Sequence, residues 1–171
     1  MKPGLYIHIP FCLSKCPYCT FHSVTDRGRK GAYLGAAVRE MALYADLFLS
    51  FDTIYLGGGT PSLLSIPEME TLFDAVRRTF AVDPGAEISV EVNPADVDVS
   101  WLTALLGLGV NRLTIGVQSF DNGVLAFLGR RHDAKRAIAS IDEARQAGFE
   151  NIGIDLIYAV PGQDPGRWGK M

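Results

Sequence analysis

The sequence predicts an α/β fold in which short strands and longer helices alternate along the chain. Runs of a few residues rich in Ile, Val, Leu and Tyr alternate with longer amphipathic stretches, and this pattern is typical of repeated strand–helix units around a parallel sheet. Most of these runs end near a Gly, Pro or polar motif. The chain has 171 residues, of which 48% are hydrophobic, so its length and composition fit a single domain.

The predicted elements follow in order along the chain. Five strands are predicted, at residues 5–9, 53–56, 87–92, 112–116 and 151–157. The helices between them are predicted at residues 31–49, 66–79, 100–108, 122–128 and 134–147. The helix at 66–79 carries Pro67 in its first turn, and Gly109 and Gly148 follow two of the others. Proline near the start of a helix and glycine after its last turn are boundary signals, which support these limits.

Charge and hydropathy exclude some classes of partner. The formal net charge is −3, which leaves no basic footprint for nucleic acid. No apolar run approaches the roughly 20 residues that a membrane helix needs. The first apolar run is short and is broken by His8 and Pro10, so it does not match a secretion signal. We therefore expect a cytoplasmic protein whose partners are neither nucleic acids nor membranes.

The cysteines predict a metal cluster. The three cysteines of the chain, Cys12, Cys16 and Cys19, form a C-x3-C-x2-C motif directly after the first predicted strand. Thiolates hold iron–sulfur clusters, and three of them leave one iron of a 4Fe–4S cluster without a protein ligand. The alternatives are small buried residues or a zinc site, but structural zinc needs four ligands and a second pair of cysteines is missing. Thiols used in this way require the reduced state that the cytosol maintains.

Several motifs lie at or just after the ends of the later strands. They are GGGTPS at 57–62, EVNP at 91–94, GVQSF at 116–120 and IDLIY at 154–158. Because the carboxyl ends of parallel strands meet at one edge of a sheet, ligands gather there. We therefore expect these motifs and the cysteines to converge on one site.

These motifs also carry a resemblance to a known family. Residues 6–12 (YIHIPFC) and Tyr18 resemble the opening of radical S-adenosylmethionine (SAM) proteins. The four strand-end motifs resemble the oxygen-independent coproporphyrinogen III oxidase group, which includes the radical SAM heme chaperones. The resemblance runs from Tyr6 to about Gln163 and implies a TIM-like partial (β/α)6 barrel. Since only five units are present, residues 1–171 are expected to be an incomplete radical SAM core domain that lacks the sixth unit and the C-terminal domain.

The resemblance implies that SAM binds the open iron through the amino and carboxylate groups of its methionine part. Further contacts to SAM are implied for five residues: Tyr6, Gly58, Gly59, Thr60 and Glu91. For Glu91 the partner would be the ribose, because a carboxylate at the end of an apolar strand needs donors. The alternatives are a packing role for the tyrosine, a tight turn for the glycines, and a salt bridge with an arginine for the glutamate.

Four more residues are assigned with alternatives. Tyr18 could stack on adenine or shield the cluster from water. Gln118, Arg130 and Asp155 match positions that contact a second SAM molecule in the oxidases, and the alternative for each is a surface or interstrand polar group. Asp155 lies between two apolar residues, so we expect it to be shielded from solvent and to have a partner. Arg130 and Arg131 could hold tetrapyrrole propionates or be ordinary cations at a helix end.

The chemistry implied by the resemblance is one-electron reduction of SAM to a 5′-deoxyadenosyl radical that abstracts hydrogen from a substrate. In the oxidases this reaction decarboxylates coproporphyrinogen III to protoporphyrinogen IX. Those enzymes resemble C-x3-C-x2-C-x-C, whereas this chain has Phe21 in place of the fourth cysteine. The departure favours the heme chaperone branch, whose heme-binding histidine motif would lie after Met171.

Two other functions remain as alternatives. One is the oxidase activity itself, and the other is an iron–sulfur or zinc module that only binds its metal. The resemblance implies a tetrapyrrole, either heme or coproporphyrinogen III, as the partner at the site. It also implies a reductant protein and, for the chaperone branch, proteins that accept heme.

Overall fold

The structure is a computed structural model that describes residues 2–48, 50–163 and 165–168. Its sheet has five strands in the order β1-β2-β3-β4-β5, and every neighbouring pair is parallel. The strands are β1 (Gly4–Ile9), β2 (Ser50–Gly58), β3 (Ala81–Val92), β4 (Arg112–Gln118) and β5 (Asn151–Leu156). Sequential order in a parallel sheet is that of (β/α) barrels rather than of doubly wound folds, whose order reverses in the sheet.

Helices connect the strands. They are α1 (Lys30–Leu43), α2 (Ile66–Thr79), α3 (Val99–Gly107), α4 (Asn122–Phe127), α5 (Ala134–Ala147) and α6 (Pro165–Trp168). Connections between parallel strands are right-handed, which places successive helices on the same face of a sequentially ordered sheet. None of the helices in the described ranges has the length and apolar character needed to span a membrane.

The pleat of the sheet separates the apolar core from the polar face. In β4, Leu113, Ile115 and Val117 are fully buried in the core. The residues that alternate with them point to the opposite face, where Thr114 and Gln118 line a cavity. The helices complete the core with buried side chains, among them Met69, Leu72, Phe73, Val76, Leu102 and Leu105.

The five predicted strands and the predicted helices are present, and the limits of α2 and α5 are confirmed. The predicted helix at 31–49 is too long, because α1 ends at Leu43, while Leu49 lies outside the described residues. Turns follow at residues 44–47, and the Phe48 ring lies 5.9 Å from the Phe51 ring. The chain therefore turns toward β2 sooner than the apolar pattern predicts.

β2 and β3 are longer than predicted because residues before the predicted apolar runs also pair between the two strands. Phe51 pairs with Val82, and the register then shifts before Thr53 pairs with Glu87. The Phe51 ring also packs edge-on against Phe80 at 5.0 Å. This additional ladder is held by contacts between distant parts of the chain, which the local sequence does not reveal.

Candidate metal and cofactor site

The site is a cavity of about 330 Å³ at the carboxyl ends of the strands, a size typical of small-molecule sites. Its lining includes all three cysteines. It also includes eight of the nine residues that the resemblance assigns to SAM: Tyr18, Gly58, Gly59, Thr60, Glu91, Gln118, Arg130 and Asp155. The ninth, Tyr6, is not in the lining. The fold thus brings together motifs that are more than 100 residues apart in the sequence.

The cysteine loop leaves the end of β1 and is closed at its base. Phe11 and Val24 form an isolated parallel bridge, in which the Cys12 amide donates to the Val24 carbonyl at 3.0 Å and the Val24 amide to the Pro10 carbonyl at 2.7 Å. All three thiols are free and partly exposed. The loop therefore presents three unpaired sulfur ligands from a fixed base.

Two of the three sulfurs accept hydrogen bonds from side chains. The Thr60 hydroxyl lies 3.5 Å from Cys12 Sγ, and Arg130 Nη1 lies 3.8 Å from Cys16 Sγ. Two of the three candidate cluster ligands therefore have a hydrogen-bond donor within the protein. Among the described residues, no group of three His, Cys, Asp or Glu side chains is arranged to hold a single metal ion. A 4Fe–4S cluster binds each cysteine to a different iron, so it requires a wider spacing, and the donor set fits a cluster of this kind.

The glycine motif fixes the end of β2 against the end of β1. Gly58 has φ +110, and a Cβ there would lie 2.4 Å from the His8 ring. The Gly59 amide donates to the Ile9 carbonyl at 2.8 Å, and a Cβ on Gly59 would lie 2.8 Å from the carbonyl oxygens of Ile9 and Phe11. These glycines are therefore required by packing within the protein, and they position the segment that leads into the cysteine loop.

The carboxylate of Glu91 is held by two donors from β2. Its Oε1 accepts from the Tyr55 hydroxyl at 2.7 Å, and its Oε2 accepts from the Gly58 amide at 3.0 Å. These partners are not an arginine, which was the alternative drawn from the sequence. Each carboxylate oxygen has two lone pairs, so capacity remains for ribose hydroxyls.

Tyr55 is a residue of this site that the sequence analysis missed. Burial and the hydrogen bond to Glu91 raise the pKa of Tyr55, so its phenol stays neutral and donates. Two features could have identified it: it precedes the glycine motif by two residues, and its strand lies beside the strand of Glu91.

Arg130 connects the end of β4 to the cysteine loop. Its Nη2 donates to the Gly116 carbonyl at 2.7 Å, and its Nη1 donates to the Tyr18 hydroxyl at 3.2 Å. Burial raises the pKa of Tyr18, while the Arg130 guanidinium opposes that shift. The neighbouring Arg131 instead forms a two-point ion pair with Asp96, at 2.8 and 2.5 Å.

Asp155 and Gln118 complete the cavity wall. The prediction that Asp155 is shielded from solvent is wrong, because its strand is at the edge of the sheet and the residue is exposed. Partial burial of the carboxyl still raises the pKa of Asp155, with Arg130 opposing the shift. Gln118 has φ +69 at a shift in the β4–β5 register. This left-handed conformation is uncommon for a residue other than glycine and is often found at functional sites.

Tyr6 lies beneath the cavity. Its side chain is 56% exposed, its hydroxyl is 3.0 Å from His8 Nδ1, and its ring stacks on Tyr55 at 6.0 Å. His8 in turn contacts the His22 carbonyl through Nε2 at 2.9 Å. Tyr6 therefore contacts the residue that holds Glu91, and a direct contact from Tyr6 to SAM stays a prediction.

The fold and this site define a class of protein. A family model described as the radical SAM superfamily matches residues 6–171, and the chain belongs to this superfamily. A 4Fe–4S cluster and SAM are the cofactors of this superfamily, and the three free thiols and the strand-end cavity fit them.

Two curated relatives place the chain within the superfamily. It is 41% identical over 169 residues to the heme chaperone HemW of Lactococcus lactis subsp. lactis, covering 95% of this chain and 43% of that protein. It is 36% identical over 166 residues to the oxygen-independent coproporphyrinogen III oxidase of Escherichia coli, covering 95% of this chain and 36% of that protein. The chain thus spans less than half the length of these relatives.

A solved structure gives the same placement. The coproporphyrinogen III oxidase HemN from Escherichia coli, described as a radical SAM enzyme, matches with a TM-score of 0.90 and 34% identity. The match covers 99% of this chain and 40% of that one. The radical SAM TIM-like fold implied by the resemblance is therefore confirmed.

Proposed function

We propose that this chain is the cluster- and SAM-binding part of a heme chaperone. The observation that carries the proposal is the single cavity that three free thiols share with Glu91, Gln118 and Arg130. Separate structural roles for these residues would not require them to meet at one edge of the sheet. A module that only binds zinc or a cluster would not explain why the strand-end residues line the same cavity as the cysteines.

In this proposal the residues that line the cavity have different roles. A 4Fe–4S cluster, when bound, supplies one-electron reduction and an iron without a protein ligand. Cys12, Cys16 and Cys19 hold it, Glu91 accepts hydrogen bonds from the ribose of SAM with its remaining lone pairs, and Tyr18 covers the cluster side of the cavity. The closed base of the loop keeps the three sulfurs in place.

Two observations favour the chaperone over the oxidase. Phe21 stands where the oxidases have a fourth cysteine, and its side chain lines the cavity while remaining 65% exposed. A phenyl ring neither binds iron nor relays protons. The identity is also higher to the HemW relative than to the oxidase over the same share of this chain.

The oxidase is the second candidate function. It is supported by Gln118, Arg130 and Asp155, which match the positions for a second SAM in the oxidases and lie together in the cavity. For either function the tetrapyrrole is the partner, heme for the chaperone and coproporphyrinogen III for the oxidase. We further propose a reductant protein and heme-acceptor proteins as partners, and the cytoplasm as the location, because cluster-binding thiols need a reducing compartment.

Anaerobic reconstitution with iron and sulfide tests the cofactor site. We expect the reduced protein to give the electron paramagnetic resonance (EPR) signal of a 4Fe–4S cluster, and SAM to shift this signal through the open iron. Cys16→Ala should lose the full cluster, while Ser14→Ala, an exposed position in the same loop, should retain it. Zinc binding, or a cluster signal that SAM leaves unchanged, would contradict the proposed site.

A paired assay separates the two candidate functions. A full-length protein that contains this chain is reconstituted and titrated with heme, followed by its absorption spectrum. In parallel the same protein is incubated with coproporphyrinogen III, SAM and dithionite. The chaperone predicts a saturable heme spectrum without decarboxylation. Production of protoporphyrinogen would instead establish the oxidase.

A further inference from the structure

Arg130 holds one of the proposed cluster ligands through a charged hydrogen bond. Its Nη1 lies 3.8 Å from Cys16 Sγ, within the range of hydrogen bonds to sulfur. The guanidinium cannot lose its charge in a protein. The resemblance assigns this arginine to SAM, so a contact to the cysteine sulfur is an additional role.

The arginine is fixed in this position from both sides. The Gly116 carbonyl at the end of β4 accepts from Nη2 at 2.7 Å, and the Tyr18 hydroxyl in the cysteine loop accepts from Nη1 at 3.2 Å. The preceding residue, Gly129, has φ +67, and a Cβ there would lie 3.0 Å from Pro17 Cδ. The segment of Arg130 therefore packs directly on the cysteine loop, next to Cys16.

A neutral hydrogen-bond donor, the Thr60 hydroxyl, is present at a second proposed ligand, Cys12. The Thr60 hydroxyl donates to Cys12 Sγ at 3.5 Å, and Thr60 is buried. Hydrogen bonds to the sulfurs are among the features that set the reduction potential of an iron–sulfur cluster. Those from charged donors are roughly twice as strong as those between neutral groups.

We propose that Arg130 raises the reduction potential of the cluster through Cys16, and that Thr60 does so to a smaller extent through Cys12. The inference rests on the proposed function, since it needs the cluster to be bound. The reduced cluster carries one more negative charge than the oxidised cluster, so a donor to its sulfurs stabilises the reduced form more. Arg130 is thus a residue that tunes the cluster, whatever contact it makes with SAM.

The test is a redox titration followed by EPR on the reconstituted chain without SAM. At a fixed solution potential, Arg130→Met should lower the ratio of reduced to oxidised cluster by about tenfold, equivalent to about 59 mV for a one-electron couple. Thr60→Val should lower the ratio by about threefold, since its hydrogen bond is neutral. Arg130→Lys, which keeps the charge, should recover part of the shift.

Arg131→Met is the matched control. It removes the same charge from the lining of the same cavity, but Arg131 is paired with Asp96, so the ratio should stay within twofold of that of the parent chain. The inference is overturned if Arg130→Met leaves the potential unchanged or if Arg131→Met shifts it equally. If Arg130→Met does not assemble a cluster, Arg130→Lys and Thr60→Val replace it in the titration. The inference is then overturned if both variants have the reduction potential of the parent chain. Failure of the parent chain to assemble a cluster would instead refute the proposed function.

Discussion

At the scale of single residues, hydrogen bonds and close contacts between neighbouring strands set the geometry of the site. Tyr55 holds one oxygen of Glu91, and the Gly58 amide holds the other. Gly58 also leaves room for the His8 ring. Each of these contacts crosses between strands, so the orientation of Glu91 depends on residues of β1 and β2 as much as on its own strand.

Removal of the Tyr55 hydroxyl should weaken SAM binding. In Tyr55→Phe, Glu91 loses a donor and is free to rotate, and a hydrogen bond to a charged group contributes on the order of 1.5–3 kcal/mol. We expect the dissociation constant for SAM, measured by calorimetry on the reconstituted protein, to rise about tenfold. Tyr44→Phe, at an exposed tyrosine after α1, should leave it unchanged. Equal affinity of the Tyr55→Phe and parent proteins would show that Glu91 is positioned without this tyrosine.

Gly58→Ala should destabilise the fold. The backbone at φ +110 disfavours a side chain, and the added Cβ would meet the His8 ring at 2.4 Å. We expect a loss of at least about 1 kcal/mol in the free energy of unfolding, measured by urea denaturation. The control is Gly107→Ala, in α3 with open space around it, which should be neutral or stabilising by about 0.5–1 kcal/mol. A Gly58→Ala protein as stable as the parent would disprove the close packing of β2 on β1.

At the scale of elements, the helix limits are set by caps. Asp98 begins α3, because its Oδ1 accepts from the Trp101 amide at 2.8 Å and from the Ser100 hydroxyl at 2.6 Å. The predicted start at Ser100 was therefore one residue late relative to Val99. The cap also explains why a short helix of nine residues begins at a fixed position.

The charge of Asp98 should make the stability of α3 depend on pH. The hydrogen bonds from Ser100 and the Trp101 amide lower the pKa of Asp98 below its ordinary value of 3.8. A lowered pKa in the folded state means that the stabilisation is present above about pH 4 and is lost as pH falls through the folded pKa. Asp98→Ala should cost about 1 kcal/mol in urea unfolding at pH 7.

The same unfolding experiment supplies the control for Asp98. The difference between Asp98→Ala and the parent should shrink at low pH as the carboxylate is protonated. Asp46→Ala, at an exposed aspartate in the turn after α1, should cost little at either pH. A cost that is independent of pH would show that the charge of Asp98 does not contribute.

At the scale of the whole molecule, the two edges of the sheet differ. At β1, the Tyr33 hydroxyl donates to the His8 carbonyl and covers part of the edge. At β5, Ile154 is 39% exposed, although its neighbour in the ladder, Ile115, is buried. The helices thus cover the apolar face as far as β4 and leave part of β5 open. An exposed apolar edge strand is a surface for pairing with another chain.

We therefore expect the chain to self-associate through β5. Ile154→Lys should reduce the average mass measured by sedimentation at high protein concentration, because a charge on an edge strand opposes pairing. Ile138→Lys changes an isoleucine that is 52% exposed on α5 and should not change the mass. A monomeric parent chain, or equal effects of both substitutions, would exclude β5 as the contact surface.

The fold was largely predictable because its information is local. The alternation of apolar runs with amphipathic stretches gave five strands and the helices between them, and the limits of α2 and α5 followed from Pro67 and Gly148. The early end of α1 was not predictable, because the apolar pattern continues through Leu47 and Phe48 while the chain already turns at residues 44–47. The extended pairing of β2 with β3 likewise depends on contacts between residues that are distant in the sequence.

For the site, the sequence by itself determined the chemical groups: three clustered thiols, a glycine loop and a carboxylate at a strand end. These are properties of residue type and spacing, which the sequence states directly. The tertiary structure alone decided that Tyr55 orients Glu91, that Thr60 and Arg130 donate to the cysteine sulfurs, and that Asp155 is exposed. Hydrogen bonds and solvent exposure depend on which residues become neighbours, and that is fixed only when the strands take their places in the sheet.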